Sequence, residues 1–302
     1  MYDLIIIGSG PAGLTAGIYA RMANKNVLIL EKSWIGGQVA NIFKIKNYPG
    51  FNEIDGYELS QNMYAQAKQL GVEFKTEEVT FCDLKNQIKI VNTHQNTYKA
   101  NAVIVATGAF AKNLEVKNEK QFYGKGVSYC ATCDGNFFKD KIVAVVGGGN
   151  TSIDNCLYLT NLAKQVYLIH RREDFTANQT SLKKINALSQ ESSKLVILSN
   201  TVITELDGDE KLKEIKLLNK KTNKESSLKV EGLFVAIGKT PDTQIFKDQL
   251  ILTDDGYIKT DKNMQTNIKN VYAIGDVRDT NLRQIVTACA DGAIAVSHYL
   301  SN

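Results

Sequence analysis

Apolar residues run unbroken from Leu4 to Ile7 and again from Ile142 to Val146. Short apolar runs bounded by glycine read as strands buried on both faces. Each leads into a glycine-rich loop, Gly8-Ser9-Gly10-Pro11-Ala12-Gly13 in the first case and Gly147-Gly148-Gly149-Asn150-Thr151-Ser152 in the second. Helical stretches are predicted next, over 14–22 and 153–162, followed by second strands at 26–30, ending in Glu31, and at 165–169. Two strand–helix–strand units of this kind predict an α/β chain with parallel sheets covered on both faces. Between them, the polar stretch 73–99 alternates in Gln87-Ile88-Lys89-Ile90 and Asn96-Thr97-Tyr98-Lys99 and reads as a small antiparallel ribbon decorating the first domain. Each half closes with a strand and a glycine: Ala102 to Ala106-Thr107-Gly108, and Leu233 to Ile237-Gly238. Polar segment 112–120 and the turn Lys239-Thr240-Pro241-Asp242 are the predicted crossings. The second domain is therefore expected at 113–243, inserted into a first domain made of 1–112 and 244–302.

Composition narrows the class. The 302 residues suit about two domains. A net charge of +4, with 43% hydrophobic and 23% charged residues, excludes disordered and collagen-like chains. No run of five or six basic residues suggests nucleic acid. No apolar stretch reaches the roughly 18 residues that span a bilayer, and no signal peptide is expected at the start. Five cysteines cannot form a secreted disulfide framework, so a reducing, cytoplasmic address is expected.

The loops carry the first chemistry. Gly8 permits the turn, Gly10 lets the backbone approach a pyrophosphate at a helix N-terminus, and Gly13 allows close packing. Glu31, eighteen residues after Gly13, is placed to accept from a ribose hydroxyl, unless it is merely a solvated strand end. The spacing is that of Rossmann-like dinucleotide-binding domains. In the second loop Ser152 replaces the third glycine, and the following strand ends in His170-Arg171-Arg172 instead of an acid. Paired guanidiniums favour a 2′-phosphate, which points to NADPH; the alternative is a solvated basic loop.

Cys130-Ala131-Thr132-Cys133-Asp134 lies just upstream of the second unit. A CxxC can be half of a zinc site, a redox pair or an accident. Zinc needs four ligands; Cys82, Cys156, Cys289, His94, His170 and His298 show no ligand spacing, so no metal is expected. A dithiol beside two dinucleotide sites can take two electrons that began as a hydride, with Asp134 handling a proton or only capping the turn at Gly135. Cys156 and Cys289 read as core residues, with an accessory thiol the other reading of Cys289.

With these residues in view the chain resembles the low-molecular-weight thioredoxin reductases nearly end to end. The likeness runs through both loops, Gly36-Gly37-Gln38, Asn47-Tyr48-Pro49-Gly50, Ala106-Thr107-Gly108, Cys130 to Gly135, His170-Arg171-Arg172, Ala273-Ile274-Gly275-Asp276 and Arg283-Gln284-Ile285. The resemblance implies FAD at Gly8, Gly10, Pro11, Ala12, Gly13, Glu31, Lys32, Gly37, Gln38, Asn47, Ala106, Thr107, Gly108, Gly275, Asp276, Arg283, Gln284 and Ile285. NADPH is implied at Gly147, Gly149, Asn150, Thr151, Ser152, His170, Arg171, Arg172, Ile237 and Gly238. It further implies a homodimer that reduces thioredoxin, a disulfide between Cys130 and Cys133, Cys133 as the sulfur nearer the flavin, Cys130 as the one that meets the substrate, and Asp134 as acid/base. Asp276 would contact the ribityl chain.

The dithiol and the NADPH loop share one domain and would take turns at the flavin, which predicts a hinge near 112–116 and 241–245. Two positions depart from the pattern: Thr176 stands where relatives carry a third arginine, and Asn150 where many carry an acid. A lost guanidinium contact weakens NADPH binding by ~1–3 kcal/mol, roughly 5- to 150-fold. Alternatives left open are a reductase fed by NADH, ferredoxin or free flavin, one serving a glutaredoxin-like partner, and a non-catalytic redox sensor.

Overall fold

The computed structural model describes residues 1–42 and 44–302. In chain order its first half forms β1 (Tyr2–Ile7), α1 (Pro11–Met22), β2 (Val27–Glu31), α2 (Gly56–Gln69), β3 (Glu73–Thr76), β4 (Val79–Asp83), β5 (Lys89–Thr93), β6 (Thr97–Val105), β7 (Ala109–Ala111), β8 (Val127–Ser128), α3 (Ala131–Asp134) and β9 (Ile142–Val146). Then come α4 (Asn150–Thr160), β10 (Gln165–Ile169), α5 (Gln179–Glu191), β11 (Leu195–Leu198), β12 (Thr201–Gly208), β13 (Leu212–Asn219), β14 (Lys224–Lys229), β15 (Gly232–Val235), β16 (Lys239–Pro241), β17 (Val271–Ala273) and α6 (Ile285–Leu300). The chain divides into two compact units, Met1–Phe110 with Thr240–Asn302, and Ala111–Lys239. The first boundary falls two residues before the one read from the sequence, and the second four before, inside the predicted turn 239–242.

In unit 1 the sheet runs β3-β2-β1-β6-β5-β4, with β17 also paired to β6. β1 lies parallel to both β2 and β6. Because side chains alternate across a strand, an unbroken apolar run feeds two cores at once. Leu4, Ile6, Val27, Ile29, Ala102 and Ile104 pack with residues of α1, α2 and α6. Ile5, Ile7, Leu28, Leu30, Val103 and Val105 pack on the other face with Val91, Phe246, Leu250 and Ile258. The predicted ribbon exists as β4 and β5, but it does not stand apart. β6 is one nine-residue strand whose first half pairs antiparallel to β5 and whose second half pairs parallel to β1 and β17. The polar residues Thr97 to Lys99 only mark the stretch of β6 that lies outside the buried centre.

In unit 2 the parallel order is β11-β10-β9-β15-β8. One face, with Val143, Val145, Val166, Leu168 and Phe234, packs on Ile153, Cys156 and Leu159 of α4 and Ile185 of α5. The other, with Ala144, Val146, Ile169, Leu233 and Val235, is covered by a three-stranded antiparallel sheet through Ile203, Leu206, Leu212, Ile215 and Leu217. At the crossings, β7 and β16 pair as a two-stranded ribbon. Among the described residues no helix is long and apolar enough to cross a membrane.

Candidate active site

Unit 1 brings several of its predicted small residues together at the start of α1. The helix begins with Gly10 as N-cap and Pro11 in the first turn, with no side chain capping its N–H groups. A Cβ at Gly10 would meet nothing within 4 Å, so open space adjoins those donors, as an approaching diphosphate requires. Around that opening, a Cβ at Gly8 (φ +106°) would stand 2.4 Å from the Ala106 oxygen, one at Gly37 3.3 Å from Gly10 Cα, and one at Gly275 3.0 Å from Ala12 Cβ. Four distant stretches of chain therefore meet at one helix end.

Glu31, buried at the tip of β2, accepts from Ser9 N (2.9 Å), Ser9 Oγ (2.7 Å) and Ser33 N (3.0 Å). It is a buried, hydrogen-bonded carboxylate and not a solvated strand end. Gln38 Nε2 donates to the Ala109 carbonyl, Thr107 Oγ1 donates to Asp242 O (2.7 Å), and Lys32 pairs with Asp242 (2.6 Å). Asn47 Nδ2 donates to Gln284 Oε1 at 2.9 Å, joining two predicted residues 237 positions apart. Gln284 also closes a capping box with Thr287 at the start of α6, which carries Ile285 in its first turn. Arg283 lies over the Tyr257 ring, 4.1 Å from its centroid, and Arg283 Nε donates to the Asp276 carbonyl at 3.4 Å.

Sequence reasoning missed the buried Asp291 of α6. It accepts from Gly275 N (3.0 Å) and takes a two-pronged pair from Arg278, at 2.7 and 3.0 Å, and so fixes the turn that carries Gly275 and Asp276. Nothing local marks this pairing, because the partners lie on different elements. Cys289 sits half-buried, its sulfur 3.8 Å from the Tyr48 hydroxyl, with burial pushing its thiol pKa up. Cys156 is fully buried.

Unit 2 repeats the arrangement. α4 starts from Gly149, again with no side-chain cap, and the nearest atom to a Cβ there would be Thr176 Oγ1 at 3.8 Å. A Cβ at Gly147 would stand 2.3 Å from the Ala236 oxygen, which brings Ile237 and Gly238 (φ +110°) beside the loop. Ser152 Oγ donates to Gly149 O at 2.7 Å. Of the three basic residues after β10, Arg171 and Arg172 are exposed and His170 is not. His170 lies beneath the loop, where a Cβ at Gly148 would be 2.1 Å from its ring, and it stacks on Phe175 with Nε2 3.0 Å from the Asp174 carbonyl. Burial holds its pKa below the usual value, with the two arginines adding to the effect, so it serves as a neutral support. Thr176 donates to Gly148 O through N (2.8 Å) and Oγ1 (3.2 Å), and Asn150 Oδ1 accepts from Asn178 N (2.8 Å) and Nδ2 (3.1 Å). Both departures from the family pattern thus fasten 176–178 onto the loop.

Cys130 and Cys133 are joined by a disulfide, Cα–Cα 5.3 Å, at the start of α3. Cys130 Sγ accepts from Cys133 N at 3.3 Å, and both cysteines are half-buried. Asp134 Oδ2 accepts from Ser128 Oγ at 2.6 Å. Burial raises the Asp134 pKa above the ordinary carboxyl value, and the Ser128 hydrogen bond pulls it back. A carboxyl held this way is suited to give and take a proton. Among the described residues no group of three or more His, Cys, Asp or Glu is placed to hold a metal ion.

Two sheets with parallel centres, each leading into an uncapped glycine loop, and a disulfide beside a buried carboxyl define a dinucleotide-binding disulfide oxidoreductase. Residues 2–292 match the family described as "Pyridine nucleotide-disulphide oxidoreductase". Thioredoxin reductase of Bacillus subtilis (strain 168) is 40% identical over 99% of this chain and 95% of its own. That of Mycolicibacterium smegmatis is 41% identical over 98% and 94%. The solved thioredoxin reductase from Streptococcus pyogenes MGAS5005 superposes with TM-score 0.92 at 41% identity, covering 100% of this chain and 98% of that one. The chain belongs to the pyridine nucleotide-disulphide oxidoreductase family.

Proposed function

We propose that this chain is a cytoplasmic, homodimeric thioredoxin-disulfide reductase that binds FAD in unit 1 and NADPH in unit 2. The observation that carries the reading is the Cys130–Cys133 disulfide, held in the same unit as a glycine loop whose following strand leads into exposed Arg171 and Arg172. The names of the relatives supply the substrate. Gly8 to Gly13, Glu31, Gly37, Gln38, Asn47, Ala106 to Gly108, Gly275, Asp276 and Arg283 to Ile285 would hold the flavin. The open space at Gly10 and the uncapped first turn of α1 fit its diphosphate. A bound flavin supplies a two-electron relay between a nicotinamide and a disulfide. Arg171 and Arg172 would bind the 2′-phosphate of NADPH, and the first turn of α4 its diphosphate.

The chain's own groups handle the thiol chemistry. Breaking the Cys130–Cys133 bond with two electrons leaves two sulfurs, and Asp134 carries the proton that one of them takes up. Cys130 as thiolate then attacks the thioredoxin disulfide, forming a mixed disulfide and releasing one thioredoxin thiolate; Asp134, ionised by the first transfer, takes the proton back from Cys133 and passes it to that thiolate. Cys133, now a thiolate, attacks Cys130 Sγ, restoring the intramolecular disulfide and releasing the second thioredoxin sulfur as a thiolate, which takes its proton from solvent as Asp134 is reprotonated for the next cycle.

Steady-state oxidation of NADPH coupled to oxidised thioredoxin tests the reading. Cys130→Ser is expected to abolish turnover while NADPH still bleaches the flavin. Turnover that survives Cys130→Ser would remove the disulfide from the reaction.

A further inference from the structure

Ser128, the partner of Asp134, is the buried last residue of β8. Its hydroxyl stands between one redox cysteine and the carboxyl. It accepts from Cys130 N at 3.1 Å, and it lies 2.6 Å from Asp134 Oδ2 and 3.3 Å from the Cys130 carbonyl oxygen. A hydroxyl has one proton to donate and two lone pairs. With Asp134 ionised, the proton goes to Oδ2, the nearer acceptor. With Asp134 protonated, the acid donates to Ser128 Oγ, which turns its own proton to the Cys130 carbonyl. The Cys130 N–H is accepted in both states, so rotation about one Cβ–Oγ bond accommodates both. The pairing of Ser128 with Phe234 across β8 and β15 fixes where that hydroxyl stands.

We propose that Ser128 is the positioning residue for proton exchange at the Cys130–Cys133 disulfide, holding Asp134 in place whether or not it carries the proton and favouring its ionised form. This rests on the disulfide-reductase reading. The proton exchanged with sulfur resides on Asp134, and Ser128 keeps its own throughout. The other titratable groups placed about Asp134 are the two cysteines, the Tyr123 phenol, whose pKa the Asp134 charge helps raise, and on α4 Tyr158, whose ring lies against Gly135. None of these replaces a hydroxyl 2.6 Å from the carboxyl oxygen.

The test is the pH profile of kcat for thioredoxin reduction by the holoenzyme, with Asp134→Asn identifying the limb that belongs to Asp134. Ser128→Ala is expected to move that limb up by roughly one pH unit, since the charge-assisted bond lost by the ionised form is stronger than the neutral one lost by the protonated form. Ser128→Thr and Ser128→Val are nearly isosteric and differ in the hydroxyl; the first is expected to keep the wild-type limb and the second to shift it, which keeps the test alive should Ser128→Ala fold poorly. The alkylation rate of Cys130 in the reduced protein against pH is a second readout that needs no thioredoxin. A limb that stays put in Ser128→Ala and Ser128→Val in both readouts would overturn the proposal. A shifted alkylation limb in a protein that fails to reduce thioredoxin would overturn the substrate reading and leave Ser128 in its role.

Discussion

In unit 1 an added Cβ at Gly8 would stand 2.4 Å from the Ala106 carbonyl oxygen; in unit 2 one at Gly147 would stand 2.3 Å from the Ala236 oxygen. In each case the oxygen belongs to the residue just past the neighbouring strand of the parallel sheet, so the two loops repeat one backbone contact. They part company at the third small residue and at the end of the second strand. A Cβ at Gly13 would come within 2.1 Å of the Gly8 oxygen, whereas unit 2 seats a whole side chain there, that of Ser152, bonded to Gly149 O. Where unit 1 buries Glu31, unit 2 buries a neutral His170 and exposes two arginines. A shared backbone frame can therefore carry opposite charge preferences, because the frame depends on glycine contacts and the preference on the residues after the strand.

That difference can be broken most severely at Gly13. Gly13→Ala sets a Cβ against a backbone oxygen that cannot yield, and is expected to destabilise unit 1 by roughly 3 kcal/mol or more, seen as lost flavin content and a lower Tm. A near-wild-type Tm would mean that α1 can shift away from its strand. Next in size, replacing Arg171 and Arg172 together by alanine is expected to raise KM for NADPH roughly 10- to 100-fold and leave KM for NADH nearly unchanged. Equal effects on both nucleotides would detach the arginines from the 2′-phosphate.

A smaller effect follows from pH. His170 is held neutral in the fold, while in the unfolded chain it titrates near 6.5. Its contribution to stability is complete above that value and is lost as pH falls through the depressed folded value. Thermal unfolding between pH 7 and 5 is expected to show a drop in Tm that His170→Gln reduces; an unchanged slope would contradict the buried, neutral ring. Smallest of all, Ser152→Ala removes one hydrogen bond to Gly149 O and is expected to cost about 1 kcal/mol in denaturant unfolding. A cost as large as that of Gly13→Ala would erase the contrast between the loops.

The parts of this architecture that are contiguous in sequence were legible there. β9 and β10 fall at the residues expected, because strands buried on both faces leave an unbroken apolar run. β6 was read as two pieces, since its first half lies beyond the buried centre and alternates like a ribbon. The antiparallel sheet of β12 to β14 went unread because its residues gain meaning only from the face of the parallel sheet they cover. In the site, the loop glycines Gly8, Gly10, Gly13, Gly147 and Gly149 and the CxxC could be named from spacing, whereas Gly37 and Gly275 came only with the family resemblance. Ser128 at Asp134, Asp291 between Gly275 and Arg278, and Asn47 at Gln284 could not, because a hydrogen bond between elements leaves no periodic trace. His170 was grouped with its two arginines as an NADPH residue, and only the structure separates it from them by burying it under Gly148.

On this reading the two loops hold different dinucleotides, a flavin on the acidic side and NADPH on the basic one. Anaerobic titration of the purified yellow protein with NADPH and, separately, NADH, followed by flavin absorbance, tests it most directly. NADPH is expected to bleach the flavin at a lower concentration than NADH, and oxidised thioredoxin to restore the colour. A flavin that neither nucleotide bleaches, or that both bleach alike, would contradict it.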